Sequence, residues 1–519
     1  MQLHPTRPAV DVAIAGIVTM AVGLLSQTAA VLGFGAAMLV GLAIARAVTQ
    51  VGVARIRSAG FEMLWRSEPR VRRIGRRESV TLEAEVRNRD TRAARYVELR
   101  AVCSPNLVVK LEPTAGEVPA SGRLSVQVTV TGARVGRHGI HGLSLEVRGA
   151  PGLFEVPLTF ANPFGIEVLP RAFSSQLSPP RGGRSRQVAD DGRPGPLSGD
   201  GLELRELREH QPGDPFKRIA WKASARRGRL MVRDYEREER DVVWLLLDAS
   251  VELWSGEVGA APLDLAIDEV AAAAARHLSR GDRVGLGIVA GRTLGWLRPD
   301  RGPAHAMELM SALSHRAHAH DGDRSDLDEA DVAYRVLEHA RPLDPAAVAG
   351  VRPGELDRVA RRAERLRSRA PFPDAEVHAP SARERTLRRY LAAFGAHCPP
   401  RLEPERTRTD LQLATALERA VREKPRPSVM YLWSPTPDLG ARPEIERALA
   451  RFPRRRVELR WVGMRLGQSI PTDGSVTPAV ADALRIRARV AEERGARSLG
   501  RLGIRVEHLR SRVGPPPAG

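Results

Sequence analysis

The sequence predicts an α/β chain: an N-terminal transmembrane hairpin, a small antiparallel β-sandwich, and then a doubly wound α/β domain carrying a helical insertion. Three observations predict it. An uncharged apolar stretch runs from Val12 to Ala45, and runs of period-two apolarity follow over residues 61–170. Beyond about residue 240, apolar strands alternate with amphipathic helices, the pattern of a parallel sheet with right-handed crossovers. At 519 residues the chain is too long for one compact core, so several domains are expected.

The apolar stretch "VAIAGIVTMAVGLLSQTAAVLGFGAAMLVGLAIA" exceeds the roughly 20 residues of one spanning helix, and Ser26-Gln27-Thr28 breaks it in the middle. Residues 1–50 therefore read as a membrane anchor of two short helices, over 10–26 and 29–46, with one tilted span as the alternative. The stretch is too long for a cleaved signal peptide. Arg46, Arg55 and Arg57 follow the second span, whereas Arg7 is offset by Asp11 at the amino end. The positive-inside rule then puts the soluble domains on the cytoplasmic side of the cell membrane.

Within 61–170, "SVTLEAEVRN", "YVELRAVC", "RLSVQVTVTG", "LSLEVRG", "FEVPLTF" and "IEVLP" alternate apolar and polar residues between Gly, Pro and Asn breaks, as strands of a sandwich do. Residues 171–200, rich in Ser, Pro, Gly and Arg, read as a flexible linker. The α/β domain occupies 201–313 and 406–512, with strands "DVVWLLLDAS", "RVGLGIVAG", "SVMYLWS", "VELRWVGM" and "GIRVEHLR". Helices such as "LDLAIDEVAAAAARHLSR" and "DLQLATALERAV" separate them. Residues 314–405 read as a mostly helical insertion, by default a solvated helical pair. Its segment "HRAHAHDGDRSD", with His315, His318 and His320, reads as a solvated loop in which nothing fixes a metal geometry.

Net charge is +19, almost wholly from arginine, since Lys110, Lys217, Lys222 and Lys424 are the only lysines. No aromatic RNA-binding motif or basic recognition helix accompanies that excess, so dispersed solvated charge is expected and no specific nucleic acid. Cys103 and Cys398 lie far apart in sequence, which argues against a disulfide framework and fits a reducing compartment. Neither a phosphate-binding G-x-x-x-x-G-K-[ST] loop, nor H-E-x-x-H, nor G-x-S-x-G occurs.

Ligands of open α/β sheets gather beyond the carboxyl ends of the strands, which directs attention to Asp248. Asp248, Ser250 and Glu252 spell D-x-S-x-E, oxygens on one loop that suit Mg²⁺ or Mn²⁺. The pattern resembles the metal-ion-dependent adhesion site of von Willebrand factor A domains, where D-x-S-x-S is joined by a Thr and an Asp from two further loops. That resemblance implies a von Willebrand factor A-like domain and puts Thr409, in "RTRTDLQLATAL", at the Thr position. Glu252 replaces the second Ser, and in "LWSPTPDL" Pro435 stands where the last Asp would be, with Asp438 further along.

The block "GDGLELRELREHQPGDPFKRIAWKASARRGRLMVRDYERE", residues 199–238, has a distinctive order: Leu-Arg-Glu, Pro-Gly-Asp, Arg-Ile-x-Trp, Ser-Ala-Arg and a Val-Arg strand. It is similar to the bacterial membrane-associated family called "domain of unknown function 58", with Asp214, Trp221 and Arg226 as signature residues. The resemblance implies an accessory protein that works with a MoxR-type AAA+ ATPase. Physically, Asp214 caps a turn, Trp221 buries its ring and Arg226 pairs with Glu206 or Glu209, together a clasp on the sheet. A partner-docking surface is the sharper alternative. The functional expectation is thus a non-enzymatic, membrane-anchored interaction or adaptor protein that meets lipid through its anchor. The alternative is a metal-dependent hydrolase at the same strand-end loop, with Glu252 or Asp410 as general base.

Overall fold

Two helices, Arg7–Leu25 and Ala29–Ala59, begin the chain; the first, and the second as far as Arg55, are long and apolar enough to cross a membrane. The computed structural model describes residues 3–149, 152–171, 175, 177, 187–316, 318–452, 457–465 and 477–508. Between the helices Gln27 takes a left-handed conformation, φ 53°, and Ser26 Oγ meets Thr28 Oγ1 at 2.6 Å. Small residues let the pair close: a Cβ on Gly23 would lie 2.5 Å from Leu32 N, and one on Gly35 would lie 2.7 Å from Met20 N. The second helix outruns the expected end at residue 46 because Ala45, Thr49 and Val53, four apart, form a buried stripe.

The chain divides into two units, one of residues 1–169 with 318–401 and one of 170–317 with 402–519. In the first, Phe61–Trp65, Ser79–Asn88, Arg123–Gly132 and Leu107–Glu112 form one antiparallel sheet in that order. Phe154–Leu169, Gly136–Arg148, Ala94–Cys103 and Gly116–Val118 form a second, with Val71–Gly75 added in parallel at Phe154–Leu169. Alternate residues of both sheets, Val126, Val128 and Val130 from one and Leu143, Leu145 and Val147 from the other, share one core. "FEVPLTF" and "IEVLP", read as separate strands, are one strand whose register slips between Ala161 and Phe164. The slip falls where Pro163 can donate nothing to the ladder, and Asn162 compensates by accepting from Trp65 Nε1 at 2.7 Å and donating to Met63 O at 2.9 Å.

The segment read as a solvated helical pair has its own apolar core and groups with the sandwich. Its helices Glu329–Leu343, Pro345–Val348, Leu356–Arg367 and Ala382–Ala393 bury Val336, Val359, Leu387 and Tyr390. Docking is backbone to backbone: a Cβ on Gly139 would lie 2.1 Å from Phe394 O, and Gly395, at φ +63°, lies against His138 and Gly139. The histidine segment is likewise ordered. His320 and Asp321 are buried, with His320 Nε2 2.7 Å from Ala396 O and Asp321 Oδ1 accepting from His378 N at 2.8 Å. Among the described residues no group of three or more His, Cys, Asp or Glu is placed to hold a metal ion.

The second unit is built on a six-stranded sheet in the order Thr293–Asp300, Arg283–Val289, Val242–Asp248, Val429–Ser434, Glu458–Gly463, Arg505–His508. All pairings are parallel except that of Thr293–Asp300, which returns from Arg283–Val289 as an antiparallel edge. Val242–Asp248 is buried at every position, as a strand covered on both faces must be. On one face Trp244 and Leu246 pack with Leu413 and Leu417 of the helix Arg406–Arg422. On the other, Tyr431 OH lies 3.3 Å from Nε2 of His277, on the helix Pro262–Leu278. Gly285 and Gly287 make room for a pair of tilted indoles: the ring centroids of Trp244 and Trp296 lie 4.5 Å apart, and a Cβ on Gly287 would come within 2.9 Å of Trp296.

Of the linker expected over 171–200, residues 172–174, 176 and 178–186 lie outside the described residues. Gln187–Glu209 is a strand, paired antiparallel with Met231–Arg240, where the sequence reading expected linker as far as residue 200. Its ladder shifts register repeatedly through the Pro- and Gly-rich portion, the residues that mislead a pattern-based reading.

Two substitutions test this packing. Gly287→Val should cost about 1–3 kcal/mol of stability by forcing the Trp244–Trp296 pair apart, read as a lower denaturant midpoint at unchanged slope. Gly139→Ala should loosen the docked helices, read as faster proteolysis within 318–401 while cleavage within the second unit keeps its rate.

Candidate functional site

The central strand ends at Asp248, and the chain turns through Ala249 and Ser250 into the short helical turn Val251–Trp254. Asp248 and Ser250 are fully buried. Asp248 Oδ1 accepts from Ser250 N at 3.1 Å and Ser250 Oγ at 2.7 Å. Oδ2 accepts from Ser434 Oγ at 2.7 Å, from the end of the neighbouring strand, and from Arg406 Nη1 at 2.6 Å. Each oxygen thus receives two hydrogen bonds, enough to compensate a carboxylate removed from water.

Arg406 opens the helix Arg406–Arg422, and its guanidinium spans the whole D-x-S-x-E set. Besides Asp248 it donates through Nη2 to Ser250 Oγ at 2.7 Å and through Nε to Glu252 Oε1 at 3.0 Å. Asp410, one turn on, lies 3.7 Å from Arg406 and is gripped by both Nε and Nη2 of Arg442. Burial alone would raise the Asp248 carboxyl; the Arg406 charge and the hydrogen bonds from Arg406, Ser250 and Ser434 outweigh it and hold the group below its ordinary value. Burial would lower the Arg406 guanidinium, yet Asp248 and Glu252 drive it above its already high ordinary value.

The sequence-predicted residues therefore meet in part. Asp248, Ser250 and Glu252 come together around one guanidinium. Thr409 sits inside the first turn of the helix and not on a preceding loop; it is fully buried and its hydroxyl has no hydrogen-bond partner. Asp438 is exposed, and Ser434, which the sequence reading passed over, is the residue of its strand end that reaches Asp248. Arg406 was also missed. Its signal was its place three residues before Thr409 at a helix start, on the same face as the oxygen set.

The signature block departs from the clasp expected of it. Asp214 does cap its turn, accepting from Gln211 N at 2.8 Å and from both guanidinium nitrogens of Arg208 at 2.6 and 2.7 Å. Arg208 and the Gln211 amide hold its carboxyl down at about 2. Trp221, expected to bury its ring, is 62% exposed at the start of the helix Trp221–Arg227, and Phe216 is 76% exposed. Arg226 is exposed, and Glu209 is paired with Arg229 at 3.8 Å. The segment is pinned by Ser224, which bonds the Ala220 carbonyl and the Met231 amide, so the two rings stand on an ordered base.

Comparison with known proteins places this block. Among solved structures, the chain is similar to the ASH / PapD-like domain of human CEP192, with 13% identity and a TM-score of 0.17 over 21% of this chain and 84% of that one. It is also similar to native alpha-2-macroglobulin from Escherichia coli, from domain MG7 to the C-terminus, with 13% identity and a TM-score of 0.17 over 83% of this chain and 55% of that one. "Uncharacterized protein Rv1480" of Mycobacterium tuberculosis and "Uncharacterized protein Mb1516" of Mycobacterium bovis are each 30% identical over 149 residues, 29% of this chain. The chain spans about half, 47%, of the length of these curated relatives. Residues 206–343, from the signature block through the Asp248 loop, match the family described as "Protein of unknown function DUF58".

Proposed function

We propose that the chain is a non-enzymatic adaptor, anchored in the cell membrane by its helical hairpin with the soluble domains in the cytoplasm. In this reading the mainly parallel sheet is a von Willebrand factor A-like domain, and the block before it engages a MoxR-type AAA+ ATPase. The observation that carries it is the exposure of Phe216 and Trp221, 76% and 62%, on a turn fixed by Arg208 and Asp214. Large aromatic side chains held in water on an ordered base are the residues that dominate the energetics of protein interfaces. Arg46, Arg55 and Arg57, in the carboxyl-terminal part of the second helix, support the cytoplasmic side.

The strand-end loop supports binding over chemistry. A hydrolase there needs a carboxylate free to take a proton, yet Asp410 is gripped by Arg442 and Glu252 is ion-paired with Arg406 through Oε1, which leaves only its buried Oε2 without a partner. The adaptor reading calls on no metal, because Asp248, Ser250 and Glu252 already receive the guanidinium of Arg406.

Affinity capture of the tagged full-length chain from solubilised membranes of the source organism tests the proposal. Wild type should recover a MoxR-type ATPase, equally with and without EDTA. The pair Phe216→Ala and Trp221→Ala should lower recovery about tenfold or more, with the melting temperature almost unchanged because both rings are exposed. Equal recovery with the double variant, or none with wild type, overturns it.

A further inference from the structure

We propose that Arg406 is the resident cation of the strand-end site: its guanidinium fills the oxygen set of Asp248, Ser250 and Glu252, the site works without a divalent metal, and a site for Mg²⁺ or Mn²⁺ opens only when that guanidinium is removed. The inference concerns the same loop as the adaptor reading but rests on side-chain geometry alone.

The first argument is the match of donors to acceptors. Three nitrogens of one guanidinium reach three residues spaced two apart, at 2.6 Å to Asp248, 2.7 Å to Ser250 and 3.0 Å to Glu252. A divalent ion would need the same lone pairs at shorter range, since oxygen ligands approach Mg²⁺ at about 2.0–2.1 Å. Asp248 offers none in reserve, because two hydrogen bonds end on each of its oxygens. Ser250 Oγ donates to Asp248 and accepts from Arg406, so its hydrogen and one of its two lone pairs are taken, and Glu252 keeps one unpartnered oxygen, Oε2.

Charge gives the second argument. Asp248, Glu252 and Asp410 face Arg406 and Arg442, three carboxylates against two guanidiniums. A dication placed beside Arg406 would sit against a like charge in a site whose central carboxylate has no solvent access. A dication in place of Arg406 would leave the same carboxylates neutralised, and it would need only a ligand set already assembled. Thr409 supplies a spare ligand: its hydroxyl is fully buried, has no hydrogen-bond partner, and lies one turn along the helix from Arg406. A guanidinium presents donors in a plane and cannot gather every oxygen around it, whereas an octahedral ion can. Because arginine does not lose its proton and is part of the chain, the site keeps its cation across the pH range.

The test is Mn²⁺ and Mg²⁺ titration of the purified full-length chain in detergent, after chelation and buffer exchange, followed by electron paramagnetic resonance of free Mn²⁺ and by calorimetry. Wild type should show no saturable site into the millimolar range. Arg406→Ala should gain a site of about one Mn²⁺ per chain, absent from the double variant Arg406→Ala with Asp248→Asn, and Mn²⁺ should raise the melting temperature of the single variant only. Arg406→Lys, which keeps a cation in the set, should remain metal-free. Stoichiometric Mn²⁺ binding by wild type that Asp248→Asn abolishes overturns the proposal, and so does a folded Arg406→Ala that binds nothing. The wild-type titration decides metal independence even where Arg406→Ala fails to fold. No ATPase enters the assay, so its failure is separate from a failure of the adaptor reading.

Discussion

The second unit is organised by one constraint, the placement of the Asp248 carboxylate at the end of a strand that is buried on both faces. A carboxylate removed from water costs several kcal/mol unless a counter-charge and hydrogen bonds replace its hydration. Every neighbouring element answers that demand. The loop folds back so that Ser250 caps Oδ1, the adjacent strand ends in Ser434, and the helix Arg406–Arg422 starts where its first side chain can reach Oδ2. Arg406 then carries its own requirement, which Glu252 and Asp410 meet, and Asp410 passes it on to Arg442. The network ends at Arg442, whose largely buried side chain immediately precedes the helix Pro443–Ala450.

The same logic of filled space governs the apolar layers. Two glycines in "RVGLGIV" lie against two tryptophans: a side chain on Gly285 would crowd Trp244 and Pro299, and one on Gly287 would collide with Leu246 and Trp296. In the first unit, glycine meets a carbonyl where the helical segment docks on the sandwich. Alongside that contact His339 Nε2 lies 3.0 Å from His141 Nδ1, and His339 Nδ1 lies 2.9 Å from Tyr390 OH. Burial pushes both imidazoles below their ordinary range, which favours their uncharged forms in this hydrogen-bonded row.

Much of this was legible from periodicity, and the misses share a physical cause. Ser79–Asn88 and Arg123–Gly132 are strands over the residues whose alternation marks them, because one face of each is buried. Thr293–Asp300 went unread since a tight turn at Ala290–Arg292, with Ala290 N bonded to Arg292 O, joins it to the preceding strand without a conspicuous break. Trp221 was assigned to a core on size alone, but size does not say which side of a seven-residue helix faces water. The histidine segment reads as polar linker until His320 and Asp321 find backbone partners from distant residues. Local sequence reports propensity and pattern; it does not report a partner supplied from far along the chain.

Arg406 is the sharpest instance. The motif D-x-S-x-E displays the oxygens of a cation site, and from sequence alone a divalent ion from solution is the expected occupant. Its actual counter-charge comes from 158 residues further along the chain. Oxygen geometry specifies that a cation is needed and leaves its identity open; a guanidinium with its three donors satisfies the demand as well as an ion does. A covalently attached cation is present at fixed stoichiometry and does not exchange. Where a metal would make the loop respond to its concentration, Arg406 ties the loop to the helix Arg406–Arg422 as a constant part of the fold.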